Sequence, residues 1–169
     1  RLILPQVETI RDLLDKDCGV LVVKERELKY FYDRIGIKPK LVITDSQAFS
    51  KVAADIPEDQ MLTSFSILFA RKKGELSYFI EGIKQLTKVP PDSKILILES
   101  CSHHRQADDI GTVKIPRLFK QMVQSKVEFE FARMLPDEEN LKKYYMVINC
   151  AGCMITRNRM LKRLEILKK

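Results

Sequence analysis

The sequence contains no apolar run that approaches the roughly 20 residues of a membrane-spanning helix. Its opening, RLILPQVETIRDLL, lacks the long apolar stretch of a signal peptide. We therefore expect a cytoplasmic protein without a membrane partner. The chain begins at Arg1 rather than at methionine, and we interpret it as a piece of a longer protein.

Positive charge is in modest excess, with 30 Lys and Arg against 23 Asp and Glu and a net charge of +7. Aromatic residues are not interleaved with the basic ones, which argues against a nucleic-acid surface. The densest basic segment is RNRMLKRLEILKK, in which Met160, Leu161, Leu164 and Leu167 recur near helical spacing. It predicts an amphipathic helix whose basic face is either solvated or contacts a partner protein.

Short β-rich runs alternate with amphipathic stretches, which is typical of α/β proteins with a largely parallel sheet. We predict two small βα units, residues 1–70 and 71–169, divided at a charged run that ends in Gly74. The predicted strands are 19–23, 39–45, 61–70, 94–100, 126–132 and 144–150. Since so small a first unit leaves a sheet edge exposed, we expect a second copy to complete it, giving a homodimer.

Two local predictions concern the first unit. Asp45 or Ser46 is expected to cap the helix through QAFSKVAADI by accepting its free amide hydrogens. Cys18 opens the apolar run CGVLVV and is predicted to be a buried structural cysteine.

The other three cysteines favour a metal site, because reduced thiols with one CxxC are typical of metal binding. Cys101 and Cys150 each follow a predicted strand, and parallel strands end at the same edge of a sheet. Cys153 comes one helical turn after Cys150, next to the small residue Gly152. A helix beginning near Cys153 would direct its amide groups at the site and favour thiolates. We therefore predict a three-thiolate site at the carboxyl ends of the second unit's strands.

Further donors lie close to Cys101. His103 and His104 are the only histidines of the chain and are either ligands, hydrogen-bond donors to the ligands, or a polar loop pair. Asp108 and Asp109 are either oxygen donors or capping and turn residues. Three cysteines leave one position of a cubane cluster open, whereas Cys3His would satisfy zinc. The residues alone do not choose between an iron-sulfur cluster and zinc.

Five segments are specific enough to suggest a family. They are CSHHRQADDIGTVKIPRLF, NCAGCMITRNRM, ILPQVETIRDLLD, VVKERELK and LVITDSQAF. Together they resemble the iron-only (FeFe) hydrogenase maturation GTPases, the HydF family. The resemblance implies a dimerisation domain over residues 1–70 and a cluster-binding domain over 71–169. It places a 4Fe-4S cluster on Cys101, Cys150 and Cys153, with His103 at the family's first motif histidine.

The resemblance also implies a role as a scaffold or carrier. Such a protein receives a di-iron precursor and delivers it to the apo-hydrogenase, with two radical-SAM maturases as further partners. No GxxxxGK[ST] loop occurs, so we expect GTP to bind only through a domain that this chain lacks, and no turnover. Asn149 stands where the family often has histidine, and its amide is a poorer iron ligand. The resemblance therefore leaves the fourth ligand open among His103, a nearby carboxylate, water or a buffer molecule.

Overall fold

The computed structural model describes residues 2–99, 109–123, 125–150 and 155–168. The chain divides into two compact units, Arg1–Leu68 and Phe69–Lys169. Each unit contains one small parallel sheet with helices, which confirms the predicted α/β class. Within the described ranges, no helix is both long enough and apolar enough to cross a membrane.

The first unit is built on a two-stranded sheet. Its elements are helix α1 (Leu4–Leu14), helix α2 (Leu28–Arg34), strand β1 (Val42–Thr44), helix α3 (Phe49–Asp55), strand β2 (Leu62–Ser64) and the start of helix α4 (Phe65–Lys73). The two strands run parallel with Val42 opposite Leu62. Val52 and Ile56 are its buried hydrophobic side chains among the described residues, so the core of this unit is small.

Two of the strands predicted for this unit were wrong. Residues 19–23 form no strand, and Leu21 and Val22 are more than half exposed. The run 61–70 is a strand only over Leu62–Ser64 and then becomes α4. Arg71, Lys72 and Lys73 occupy the last turn of α4, where cations interact favourably with the helix dipole.

The predicted cap of α3 was also wrong. Its N-cap residue is Ala48, without a side-chain hydrogen bond. The Asp45 carboxylate instead accepts a hydrogen bond from Gln6 Nε2 at 2.8 Å. Burial raises the pKa of the Asp45 carboxyl group, and the bond from Gln6 partly opposes that effect. Asp45 therefore joins β1 to α1 rather than starting the following helix.

The second unit is built on a three-stranded sheet. Its elements are helix α5 (Leu76–Lys84), a 3-10 turn (Gln85–Lys88), strand β3 (Ser93–Glu99), a π-helical turn (Ile110–Lys114), helix α6 (Ile115–Met122), strand β4 (Val127–Ala132), helix α7 (Glu138–Leu141), strand β5 (Met146–Cys150) and helix α8 (Arg157–Leu167). The strand order is β4-β3-β5, and both pairings are parallel. All three strands agree with the predicted ones within two residues at each end.

The centre of this sheet is strand β3, whose residues 95–98 are at most 1% exposed. Ile95 packs in one cluster with Phe119 of α6 and with Ile148 of β5. Since side chains alternate between the faces of a strand, Leu96 and Leu98 point to the opposite face. Both faces of β3 are therefore buried, as expected for a continuous apolar run in a parallel sheet.

Candidate metal centre

Cys150 is the last residue of β5 and is half-buried. Its register partner on the central strand is Glu99, the last residue of β3. Cys101 follows Glu99 by two positions, and Cys153 follows Cys150 by three. The segments that carry the three predicted thiolates therefore leave the sheet from two adjacent, parallel strand ends.

The remaining predicted donors lie outside the described residues. They are Cys101, His103, His104, Asp108 and Cys153. Their assignment as ligands stays a prediction. Within the described ranges, no group of three or more His, Cys, Asp or Glu is placed to hold a metal ion.

Asp109 has the capping role that the sequence allowed for it. Its Oδ2 accepts hydrogen bonds from Thr112 N at 2.9 Å and from Thr112 Oγ1 at 3.0 Å. It thereby caps the π-helical turn that leads into α6. A π-helical turn is rare and is frequent at functional sites. This cap fixes where the backbone of the turn lies relative to Cys150.

Gly111 brings the backbone of that turn close to the cysteine. A Cβ atom at position 111 would lie 3.4 Å from Cys150 Sγ and 3.0 Å from Glu99 Oε1. Gly111 is buried, so a side chain here would crowd Glu99 and would fill the space against Cys150 Sγ. Gly152 was predicted from the sequence to lie near the site, whereas Gly111 and Glu99 were not. The sequence features that could have indicated them are the glycine of the DDIG segment for Gly111 and the acidic residue after an apolar strand for Glu99.

A buried arginine lies on the other side of β5. Arg163 is 5% exposed, and its Nη1 donates a hydrogen bond to Asn149 Oδ1 at 2.8 Å. Burial lowers the pKa of the Arg163 guanidinium, and the nearby charge of Arg159 adds to this. The basic residues of this helix were predicted to lie on its surface, and this prediction was wrong for Arg163.

Helix α8 begins later than predicted. Its N-cap is Thr156, whose Oγ1 accepts a hydrogen bond from Arg159 N at 3.4 Å. The helix therefore starts at Arg157 rather than near Cys153. Met160 and Leu164 are buried as the helical spacing predicted, and Tyr78 and Phe79 of α5 pack against them.

Two family models match the chain over nearly its whole length. The model described as the hydrogen maturase F tetramerization domain matches residues 77–169. The chain belongs to the hydrogen maturase F family. A second model of this family, described as the hydrogen maturase F dimerization domain, matches residues 1–74. No curated protein matches the chain.

Membership connects the chain to hydrogenase maturation and to self-association. The family resemblance seen in the sequence is thereby confirmed. Tetramerization goes beyond the homodimer expected from the sequence. Both matched models describe association domains of hydrogen maturase F rather than a GTPase domain.

The described part of the site is compatible with a thiolate-bound cluster. A half-buried thiol ends a strand, and the absence of a side chain at Gly111 lets the backbone of the π-helical turn approach its sulfur atom. Cysteine thiolates are the usual protein ligands of iron-sulfur clusters. Further thiols follow in the sequence within three residues of Glu99 and Cys150.

Proposed function

We propose that this chain holds a 4Fe-4S cluster through Cys101, Cys150 and Cys153 and acts as a scaffold in hydrogenase maturation. The observation that supports this most directly is the pairing of Glu99 with Cys150. It lets two short segments that are distant in sequence deliver their thiols to one edge of the sheet. Such a cluster supplies an iron with one position not taken by cysteine.

In a carrier, the open position on the iron would bind an exchangeable ligand. His103, His104 and Asp108 are the candidate protein ligands for it, or groups that hydrogen-bond to the ligands. The Oδ1 atom of Asn149 already accepts a hydrogen bond from Arg163. We therefore assign the fourth position to the segment after Cys101 or to an exogenous molecule.

In this proposal the cargo is a di-iron precursor that is received from radical-SAM maturases and delivered to the apo-hydrogenase. The chain carries the cargo and performs no turnover, and GTP acts through a domain other than these two. Self-association would bring several such sites together in one assembly. The dimerization and tetramerization domains of the family support this arrangement.

The deciding experiment is anaerobic purification followed by iron, sulfide and zinc analysis and by EPR of the reduced protein. We expect a brown protein with about four iron and four sulfide per chain. Zinc without sulfide would overturn the proposal in favour of a structural zinc module. Substrate turnover by the isolated chain would instead indicate an iron-sulfur enzyme.

A matched pair of cysteine variants completes this test. Cys150→Ser should lose the cluster, because a serine oxygen is a poor substitute for an iron-bound thiolate. Cys18→Ser is the control, since Cys18 is exposed and belongs to the first unit. Unchanged iron content in Cys150→Ser would remove Cys150 from the ligand set.

A further inference from the structure

Arg163 and Asn149 form a buried polar contact beside the CxxC segment. A buried guanidinium is costly unless its N–H groups are hydrogen-bonded, so its position is closely specified by the groups it reaches. The 2.8 Å bond to Asn149 Oδ1 ties this group of helix α8 (Arg157–Leu167) to the second-last residue of β5. Breaking this hydrogen bond therefore costs free energy, and the bond restrains the end of β5 relative to α8.

The position of this bond in the sequence gives it a specific consequence. Asn149 immediately precedes Cys150, and Arg163 lies in the second turn of α8. The bond thus closes a loop of chain that contains both cysteines of the CxxC. Fixing the two ends of a loop limits the positions that residues within it can adopt.

Helix α8 is itself anchored independently of this bond. Met160 and Leu164 are 2% and 3% exposed and pack with Tyr78 and Phe79. Tyr78 also donates its hydroxyl to the backbone oxygen of Leu167 at 3.1 Å. The arginine therefore projects from a fixed helix, so the bond transmits that helix's position to the end of β5.

The two faces of β5 keep this contact apart from the thiol. Side chains alternate along a strand, so Asn149 and Cys150 point to opposite faces. Cys150 Sγ lies near Gly111, whereas Asn149 Oδ1 faces Arg163 of α8. A side chain at position 149 is thus directed at the helix rather than at the thiol's side of the strand.

We propose that Arg163 is a positioning residue that acts through Asn149 to hold Cys150, the first cysteine of the CxxC, in place for metal binding. This rests on the proposed function in one respect, because the cluster supplies the principal readout. Arginine suits the role because its planar guanidinium has donors in a fixed geometry, which lysine lacks. Residue 149 serves here as an anchor for the metal-binding segment and does not ligate the cluster.

The test measures iron loss to a chelator, and the EPR spectrum, in the reconstituted full chain. Asn149→Ala and Arg163→Met should each accelerate iron loss about tenfold, as is typical for residues that orient ligands. The double variant should lose iron no faster than Arg163→Met alone, because the bond between residues 163 and 149 is already absent in that variant. Asn149→Asp keeps an oxygen acceptor and should restore slow loss. In Asn149→His, pulsed EPR should detect no histidine nitrogen bound to the cluster.

Arg159→Met is the matched control, since Arg159 is an exposed arginine of the same helix. It should lose iron at the wild-type rate. Equal rates in Arg163→Met and Arg159→Met would overturn the inference, as would additive effects in the double variant or a histidine-149 nitrogen on the cluster. If Arg163→Met does not fold, the comparison of Asn149→Ala with Asn149→Asp decides the question.

A different experiment tests the positioning role if the proposed cluster is absent. If the wild-type chain takes up no iron and sulfide, the same variants are compared by the affinity of the apo chain for Co²⁺. A loss of affinity in Asn149→Ala, with recovery in Asn149→Asp, would support the positioning role without a cluster. Equal Co²⁺ affinities across the set would overturn it.

Discussion

At the scale of single residues, Gly111 lies where an added side chain would contact Cys150. Replacing glycine by alanine in a helix ordinarily stabilises it by about 0.5–1 kcal/mol. At Gly82 of α5, a Cβ would meet no atom within 4 Å, so Gly82→Ala should show that gain. At Gly111 the methyl group would lie too close to Glu99 Oε1, at 3.0 Å, and would touch Cys150 Sγ at 3.4 Å.

We therefore expect Gly111→Ala to lose iron several-fold faster than wild type, whereas Gly82→Ala retains it and melts at a slightly higher temperature. Iron per chain after chelator treatment and melting by circular dichroism measure the two effects. Equal iron retention in the two variants would show that the backbone at position 111 lies outside the cluster's surroundings.

Glu130 provides a prediction about pH. Its carboxylate accepts hydrogen bonds from Tyr144 Oη at 2.5 Å, Lys143 Nζ at 3.1 Å and Lys94 Nζ at 3.4 Å. These bonds, the one from Tyr144 foremost, lower the pKa of Glu130 from 4.5 to about 2. Between about pH 4.5 and pH 2, the Glu130 carboxyl group is therefore ionised in the folded chain but mostly protonated in the unfolded chain. Its contribution to stability is thus complete above about pH 4.5 and is lost as the pH falls towards 2.

The measurement compares melting temperatures of wild type and Glu130→Gln between pH 6 and pH 2. The wild-type advantage should be constant at the upper end and should shrink below about pH 4.5. Glu128→Gln is the control on the same strand, because Glu128 lies 3.8 Å from Lys94 in a more exposed position. An advantage that persists unchanged to pH 2 would show that these bonds do not depend on the carboxylate's charge.

Residues of the site differ in how far the sequence could predict them. Cys150 could be placed because an apolar strand leads directly to it, and strand ends in a parallel sheet share an edge. Arg163 could not, because helical periodicity treats a charged residue as solvated unless its partner is known. Its observed partner, Asn149, lies on another element, and only the folded chain brings the two together.

At the scale of elements, continuous apolar strands were predicted well and isolated ones were not. The run KILIL became β3 because strands β4 and β5 supply hydrogen-bonding partners on both sides. Residues 19–23 have a similar composition but pair with no strand among the described residues. The run 61–70 shows the usual ambiguity of short apolar segments between strand and helix. Composition alone does not specify the partner that makes a strand.

Strand β3 should accordingly carry much of the second unit's stability. Ile97 is 0% exposed, so Ile97→Ala should lower the free energy of unfolding by about 2–5 kcal/mol through lost contacts and a cavity. Ile83→Ala is the control, since Ile83 on α5 is 59% exposed and should change stability by less than about 0.5 kcal/mol. Urea unfolding of both variants provides the measurement. Similar losses in the two would show that burial in β3 does not dominate.

At the scale of the whole molecule, the described part of the first unit has many exposed large hydrophobic side chains. Leu21, Val22, Ile37 and Met61 are each more than half exposed, while the buried hydrophobic residues of this unit are few. Its sheet has two strands, which is too few for independent stability without further packing. A family model described as a dimerization domain matches this part of the chain, and association would cover such surface.

Cys18 offers a second way for two copies to associate, through an intermolecular disulfide. It was predicted to be buried, but it is exposed, because the apolar run that it opens joins no sheet. Oxidation could therefore link two copies through Cys18 without any native interface. We expect the Cys18→Ser variant, in reducing buffer, to keep the mass of two or more chains in light scattering. Since apolar contacts are not screened by ions, the mass should also persist when the salt concentration is raised. The mass of a single chain at micromolar concentration would show that association depends on the disulfide, and the exposed apolar residues would then need another explanation than contact between copies.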